Sequence, residues 1–184
     1  VEAERTGRTG GRAVGARAGA GLAVARGAEG QGAVGTKQGL FLADKAGTRQ
    51  VCPRHGHESW APTNVTVSDD GLGRLWFASY QGAGCYEKSE WTLYTGAEGL
   101  PYDDMTAVAG GADGTVWFGT AIGAIRFDGS AWSYRQGKRW LPSDEVRDIP
   151  VDAGGNAWVA TAGGLSFLHF TGMTLAANAQ QYED

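Results

Sequence analysis

One pattern recurs in this chain at a fixed interval and restricts its possible folds more than any other feature: a Trp six residues ahead of a Gly. The pairs are Trp76 and Gly82, Trp117 and Gly123, and Trp158 and Gly164, each 41 residues beyond the last. Self-similarity at such a period means that each unit is one supersecondary structure, unable to bury its apolar face except against a neighbouring unit. Aligned on the Gly, residues 101–120 and 142–161 match without a gap, and residues 62–79 join the register from Val67 onward. A fourth copy lies upstream. Residues 24–36 superpose on 108–120, with Ala33 in the Trp position, and Gly39 matches Gly123.

Each unit holds four short apolar runs, clearest in the third copy at 106–109, 115–119, 124–127 and 132–135. The separators Gly110-Gly-Ala-Asp-Gly114, Thr120-Ala-Ile-Gly123 and Asp128-Gly-Ser130 have turn chemistry, Gly supplying positive φ and Asp bonding the local backbone. Asp128-Gly129 reads as a tight hairpin signal, with Asp44 as its counterpart in the first copy. Val116, Trp117 and Phe118 are consecutive and do not alternate with polar residues, so this strand is expected to be buried on both faces. Four-stranded antiparallel sheets stacked side by side at this period define an all-β, β-propeller-type repeat of about four blades. The 31 glycines follow from turns that recur in every unit.

The expected organisation is a Gly/Arg-rich degenerate or disordered segment over 1–21, then repeats over 22–172 divided at about 22–61, 62–100, 101–141 and 142–172. A helical extension is expected over 173–184, because Met173 stands where the Trp132 position would fall and the following residues favour a helix. The residues Trp76, Trp117, Trp158, Gly82, Gly123 and Gly164 are read as structural. Each buried Trp would remove about 150–250 Å² from water, which makes the Trp column a packing spine rather than a set of platforms for sugars or bases.

Net charge is −4 and uneven: the first 26 residues carry five Arg against two Glu, while the remainder holds 11 basic and 18 acidic side chains. Arg5, Arg8, Arg12 and Arg17 are interleaved with Gly, Ala and Thr, and no aromatic stands among them to stack on bases. Nucleic acid is therefore not an expected partner. No apolar stretch approaches the roughly 20 residues that span a bilayer, and no charged start followed by an apolar core reads as a signal peptide. Cys52 and Cys85 fall in adjacent units, and spacing alone leaves open both a disulfide and two free thiols.

In such a stack the second-to-third-strand turns and the connections between units share one face, because successive strands are antiparallel. Variable loops on a rigid scaffold are where ligands bind. That face carries Lys37 and Gln38, His55 to Trp60, Tyr80 and Gln81, Tyr102 to Asp104, and Lys138 to Glu145. Tyr80, Gln81, Tyr102, Asp103, Trp140 and Asp144 are the candidate ligand-binding residues, aromatic rings mixed with polar groups that suit a polar, ring-containing molecule. The pairs Asp103-Asp104 and Asp144-Glu145 recur at one repeat position, which favours a turn-forming role over acid–base catalysis. Arg54-His-Gly-His-Glu58 is the nearest approach to a metal constellation, but no second element supplies further ligands, so neither metal nor cofactor is expected.

The run Trp91-Thr-Leu-Tyr-Thr-Gly-Ala-Glu-Gly-Leu-Pro101, with Met105-Thr-Ala-Val, Asp113-Gly-Thr-Val-Trp-Phe-Gly-Thr120 and Gly123-Ala-Ile-Arg-Phe-Asp-Gly129, resembles the two-component-regulator propeller repeat over most of the chain. In that family such repeats build the extracytoplasmic sensor portion of bacterial hybrid histidine kinases, often responding to glycans. The resemblance implies a non-enzymatic ligand-binding or sensor-like module of a larger protein, with a periplasmic or extracellular location. Its partner would be a polar small molecule, a glycan or another protein, and further blades or an oligomer would complete the stack. Sensor members usually carry many more repeats, and no kinase, transmembrane or DNA-binding segment follows in this sequence. A structural scaffold is one alternative. Another is a propeller enzyme similar to the streptogramin lyases, whose His and Glu near a magnesium ion have His57 and Glu58 as their only loose candidates here.

Overall fold

The computed structural model describes residues 21–26, 32–36, 39–51, 54–55, 58–60 and 67–169. Each repeat folds as one antiparallel meander, because its four apolar runs are joined by turns too short for any other connection. The first sheet contains β1 (Gly21–Arg26), β2 (Gly32–Thr36), β3 (Gly39–Asp44) and β4 (Gly47–Val51). A small hairpin of β5 (Arg54–His55) and β6 (Glu58–Ser59) follows, where the sequence suggests only a loop. The second sheet holds β7 (Val67–Asp69), β8 (Leu75–Ser79), β9 (Gly82–Glu87) and β10 (Glu90–Tyr94). The third holds β11 (Met105–Gly110), β12 (Val116–Thr120), β13 (Gly123–Phe127) and β14 (Trp132–Arg135), within a residue or two of the runs read from the sequence. In the fourth, β15 (Val146–Asp148), β16 (Ala157–Thr161) and β17 (Gly164–Leu168) are described. The expected helix over 173–184, residues 1–20 of the first segment, and Cys52 lie outside the described residues.

Among the described residues the hydrophobic core is divided into three slabs, each between consecutive sheets. Ala33, Leu40 and Leu42 of the first sheet meet Leu75, Phe77 and Tyr86 of the second. Trp76, Ala78 and Cys85 of the second meet Val108, Phe118 and Ile125 of the third. Ala107, Trp117 and Ala124 of the third meet Val146, Val159 and Leu168 of the fourth. Side chains alternate across a strand, so successive residues of β8 and β12 enter different slabs, and all five residues of each strand are buried. This is why neither strand alternates between apolar and polar residues.

In β16 the alternation reappears. Ala157 and Val159 are sealed against the third sheet, whereas Trp158 is 44% exposed, together with Leu165 and Phe167 of β17. Trp158 therefore differs from Trp76 and Trp117, at 0% and 3%, and does not act as a buried spine residue. The physical reason lies in the order of stacking: the face that the next sheet covers in the second and third blades has no cover among the described residues in the fourth.

Polar bonds tie one blade to the next. Arg74 Nη2 donates to Gly114 O at 3.1 Å, Thr106 Oγ1 to Val146 O at 2.7 Å, and Trp117 Nε1 to Gly155 O at 3.2 Å. Within the second blade, fully buried Asp70 accepts from Arg74 Nε at 2.5 Å and from Trp76 Nε1 at 2.9 Å. The buried carboxylate is thus paired and hydrogen-bonded, as burial of a charge requires.

Candidate functional site

The turns between the second and third strands share a device that accounts for the repeating Gly. Thr36, Ser79, Thr120 and Thr161 each donate a hydroxyl to the carbonyl of the Gly three residues on, at 2.9–3.1 Å. In the last three blades the same hydroxyl accepts the N–H of the residue between, from Gln81, Ile122 and Gly163. Gly123 sits at φ 151°, and a Cβ there would lie 2.5 Å from Arg135 O and 2.7 Å from the Tyr134 hydroxyl. Only Gly admits both the backbone conformation and the approach of β14. The hydroxyl at the start of the turn is a further repeat signal, legible in the sequence three residues before each Gly.

These rigid turns and the connections between sheets form the candidate face. Tyr80 and Gln81 are exposed in the β8–β9 turn, Tyr80 by 52%. Tyr102 and Asp103 are exposed in the connection from the second to the third sheet, and Trp140 and Asp144 stand in the next such connection. Trp60, expected on this face, is instead sealed at 2% exposure in the first slab, with its ring against Gly82. His57 lies outside the described residues, and no group of three or more His, Cys, Asp or Glu side chains among the described residues could hold a metal ion.

The connection leading to Tyr102 is held by a capping box. Thr95 N–H donates to Glu98 Oε2 at 2.8 Å, Ala97 N–H donates to Thr95 Oγ1 at 3.2 Å, and a single 3-10 turn spans Gly96–Glu98. Trp132 Nε1 donates to Glu98 O at 3.1 Å, fixing this loop against the third blade. From there Tyr102 reaches Tyr134 of β14, ring centroids 5.2 Å apart. The Tyr134 hydroxyl donates to Ile122 O in the neighbouring turn. Burial, reinforced by Tyr102 and the negative charge of Asp144, pushes the Tyr134 phenol up to about 12, so it stays a neutral donor at physiological pH.

Asp144 has one oxygen engaged: its Oδ1 accepts Gly137 N–H at 2.6 Å, which pins the loop carrying Trp140. Trp140 N–H and Leu141 N–H both donate to Gly137 O, and Ser166 Oγ donates to Trp140 O at 2.8 Å. The Arg135 and Arg139 guanidinium carbons lie 4.9 and 5.2 Å from the Trp140 ring centroid. Of the six candidates, Tyr102, Asp103, Trp140 and Asp144 lie on the two connections that flank the third blade, whereas Tyr80 and Gln81 are one blade earlier. Tyr134 and Arg135 join this face, although of residues 134–145 the sequence places only Lys138 to Glu145 on it. The signal for Arg135 is that, with Lys138 and Arg139, it lies in a stretch with no acid between Asp128 and Asp144.

The stacked four-stranded meanders define this chain as a β-propeller-type protein. No protein-family model matches it, and no curated protein matches it in sequence. Its solved structural neighbours include the extracellular domains of two hybrid two-component system proteins from B. thetaiotaomicron. One superposes with a TM-score of 0.68 at 18% identity over 88% of this chain and 23% of its own; the other with 0.60 at 17% over 87% and 23%. Virginiamycin B lyase from Staphylococcus aureus superposes with a TM-score of 0.63 at 17% identity, over 82% of this chain and 52% of the lyase. The chain spans about a quarter of the two-component extracellular domains and about half of the lyase. At these identities the likeness is one of fold, and it agrees with the resemblance carried by the repeat.

Proposed function

We propose that this chain is a non-enzymatic, sensor-type propeller module that binds a polar, ring-containing ligand such as a glycan, as part of a longer protein acting outside the cytoplasm. The observation that carries this reading is the exposure of Tyr102 and Trp140, 40% and 41%, on loops otherwise fixed by hydrogen bonds to the blades. Exposed rings on rigid supports lose little entropy on binding and offer flat apolar faces beside polar groups. The resemblance to sensor repeats and the extracellular domains among the structural neighbours support the same reading. The face bearing Trp158, Leu165 and Phe167, exposed among the described residues, is where a further blade would seat.

Calorimetric titration with a panel of neutral and charged oligosaccharides tests the reading. The double variant Tyr102→Ala with Trp140→Ala should bind at least about tenfold more weakly while melting at the parent's temperature. Unchanged affinity would remove this face from the function.

A further inference from the structure

Arg135, Lys138 and Arg139 form a concentrated positive patch in a chain whose net charge is −4. None of the three makes an ion pair among the described residues, although both guanidinium groups are held in place. Arg135 Nη1 donates to Tyr134 O at 2.9 Å, and both arginines lie against the Trp140 ring. The backbone that carries the ring is in turn fixed by the bonds from Trp140 and Leu141 to Gly137, by Ser166 on Trp140 O, and by Asp144 on Gly137 N–H. Asp144, the nearest acid in the sequence, thus has one oxygen directed to the backbone.

Two guanidinium groups resting on one indole are preorganised, because the cation–π contact restricts side chains that would otherwise sample many rotamers. Each offers a planar fork of donors matched to a carboxylate or sulfate. Holding like charges together without carboxylate partners is unfavourable, and an anionic ligand relieves that repulsion.

Resting on the proposed ligand-binding role, we infer that the loop of Arg135, Lys138, Arg139 and Trp140 selects anionic saccharides, those bearing carboxylate or sulfate groups. The anionic groups pair with Arg135, Arg139 and Lys138, while the exposed Tyr102 ring and Asp103 on the adjoining loop contact neutral parts of the sugar. Lys138 is exposed and does not stack on the Trp140 ring as the two arginines do, so it acts as the most adaptable of the three cations.

The test titrates the protein at low and moderate salt with a dextran oligosaccharide, the same oligosaccharide sulfated, an oligogalacturonate, and sodium sulfate alone. At least one anionic oligosaccharide should bind at least about tenfold more tightly than neutral dextran, weaken as salt is raised, and outcompete sodium sulfate at equal sulfate or carboxylate concentration. Arg139→Gln, at an exposed position, should reduce that preference several-fold, and Arg135→Gln with Arg139→Gln should abolish it, so that this variant binds the anionic oligosaccharide no more tightly than it binds neutral dextran. Equal affinity for neutral and anionic probes, or an anionic preference that survives Arg139→Gln, would overturn the selectivity while leaving the ligand-binding role standing. No binding of any saccharide would overturn both.

Discussion

Trp76 and Trp158 occupy the same position in repeats two units apart, yet Trp76 is completely buried and donates its indole N–H to Asp70, whereas Trp158 is 44% exposed. The difference is what stands on the far side of the strand. Trp76 packs on Phe118 and Phe127 of the next blade at centroid separations of 6.0 and 5.6 Å, while Trp158 touches Phe167 of its own sheet at 4.6 Å. Trp76→Ala should therefore cost about 3–5 kcal/mol through the cavity it leaves between two sheets, and Trp117→Ala a similar amount. Trp158→Ala should cost about 1 kcal/mol or less. Urea unfolding of the three variants checks the ranking, and equal losses would mean that Trp158 is covered in solution.

The Asp70–Arg74 pair supplies a second prediction. Arg74→Ala leaves the buried Asp70 carboxylate without its cation and removes the bond to Gly114 O in the next blade. A loss of about 3–5 kcal/mol is expected, in the range for an uncompensated buried charge. Adding Asp70→Asn should recover part of it. A double-mutant cycle measured by denaturant unfolding would show this coupling, and strictly additive losses would contradict it.

Two glycines with left-handed φ should respond differently to Ala. Gly129, at φ 96°, has open space around the site of a Cβ, so Gly129→Ala should cost only the conformational penalty, about 1–2 kcal/mol. Gly123→Ala adds the collision with Arg135 O and should cost distinctly more. Comparing melting temperatures of the two variants decides whether the repeat Gly is kept for φ alone or for close approach as well.

Acid should weaken the turns through defined carboxylates. Backbone N–H groups of Ala131 and Ser130, with the Ser130 hydroxyl, hold the Asp128 carboxyl below the usual carboxylate range; the Asn156 side chain and backbone do the same for Asp152. A carboxylate depressed in the folded state contributes stability that is present above its unfolded pKa and is lost as pH falls through its folded pKa. Asp128→Asn should thus melt lower than the parent at neutral pH, and the gap should narrow below about pH 4. A gap that is constant with pH would assign the effect to shape alone.

Cys85 offers a chemical probe of the second slab. It is a buried free thiol, 6% exposed, and burial pushes its pKa up to about 12. The unreactive thiol form therefore persists in the native state at neutral pH. Labelling by a thiol-specific reagent should be slow natively and should accelerate with unfolding of the second and third blades. Separating its modification from that of Cys52 by peptide mass analysis makes the reading specific.

Much of the fold was legible because its signals are local and repeated. The spacing from Trp117 to Gly123 encodes a strand and its turn, and Asp128 and Asp44 mark hairpins that the structure builds with carboxylate-to-backbone bonds of 2.7–3.1 Å. The run Val116-Trp117-Phe118 pointed to burial on both sides, and all five residues of β12 are buried, whereas the equally apolar run Ala157-Trp158-Val159 of β16 leaves Trp158 exposed. What only the tertiary structure decided is which repeat face meets another. Trp60 and Tyr80 look alike in sequence as loop aromatics, but the close approach at Gly82 seals one ring while the other remains in solvent. Likewise Arg135 and Arg139 are simply charges along the chain until the loop held by Asp144 and Ser166 brings both onto Trp140. A period records what each unit needs from its neighbour, whereas exposure and charge clustering depend on where the neighbours are.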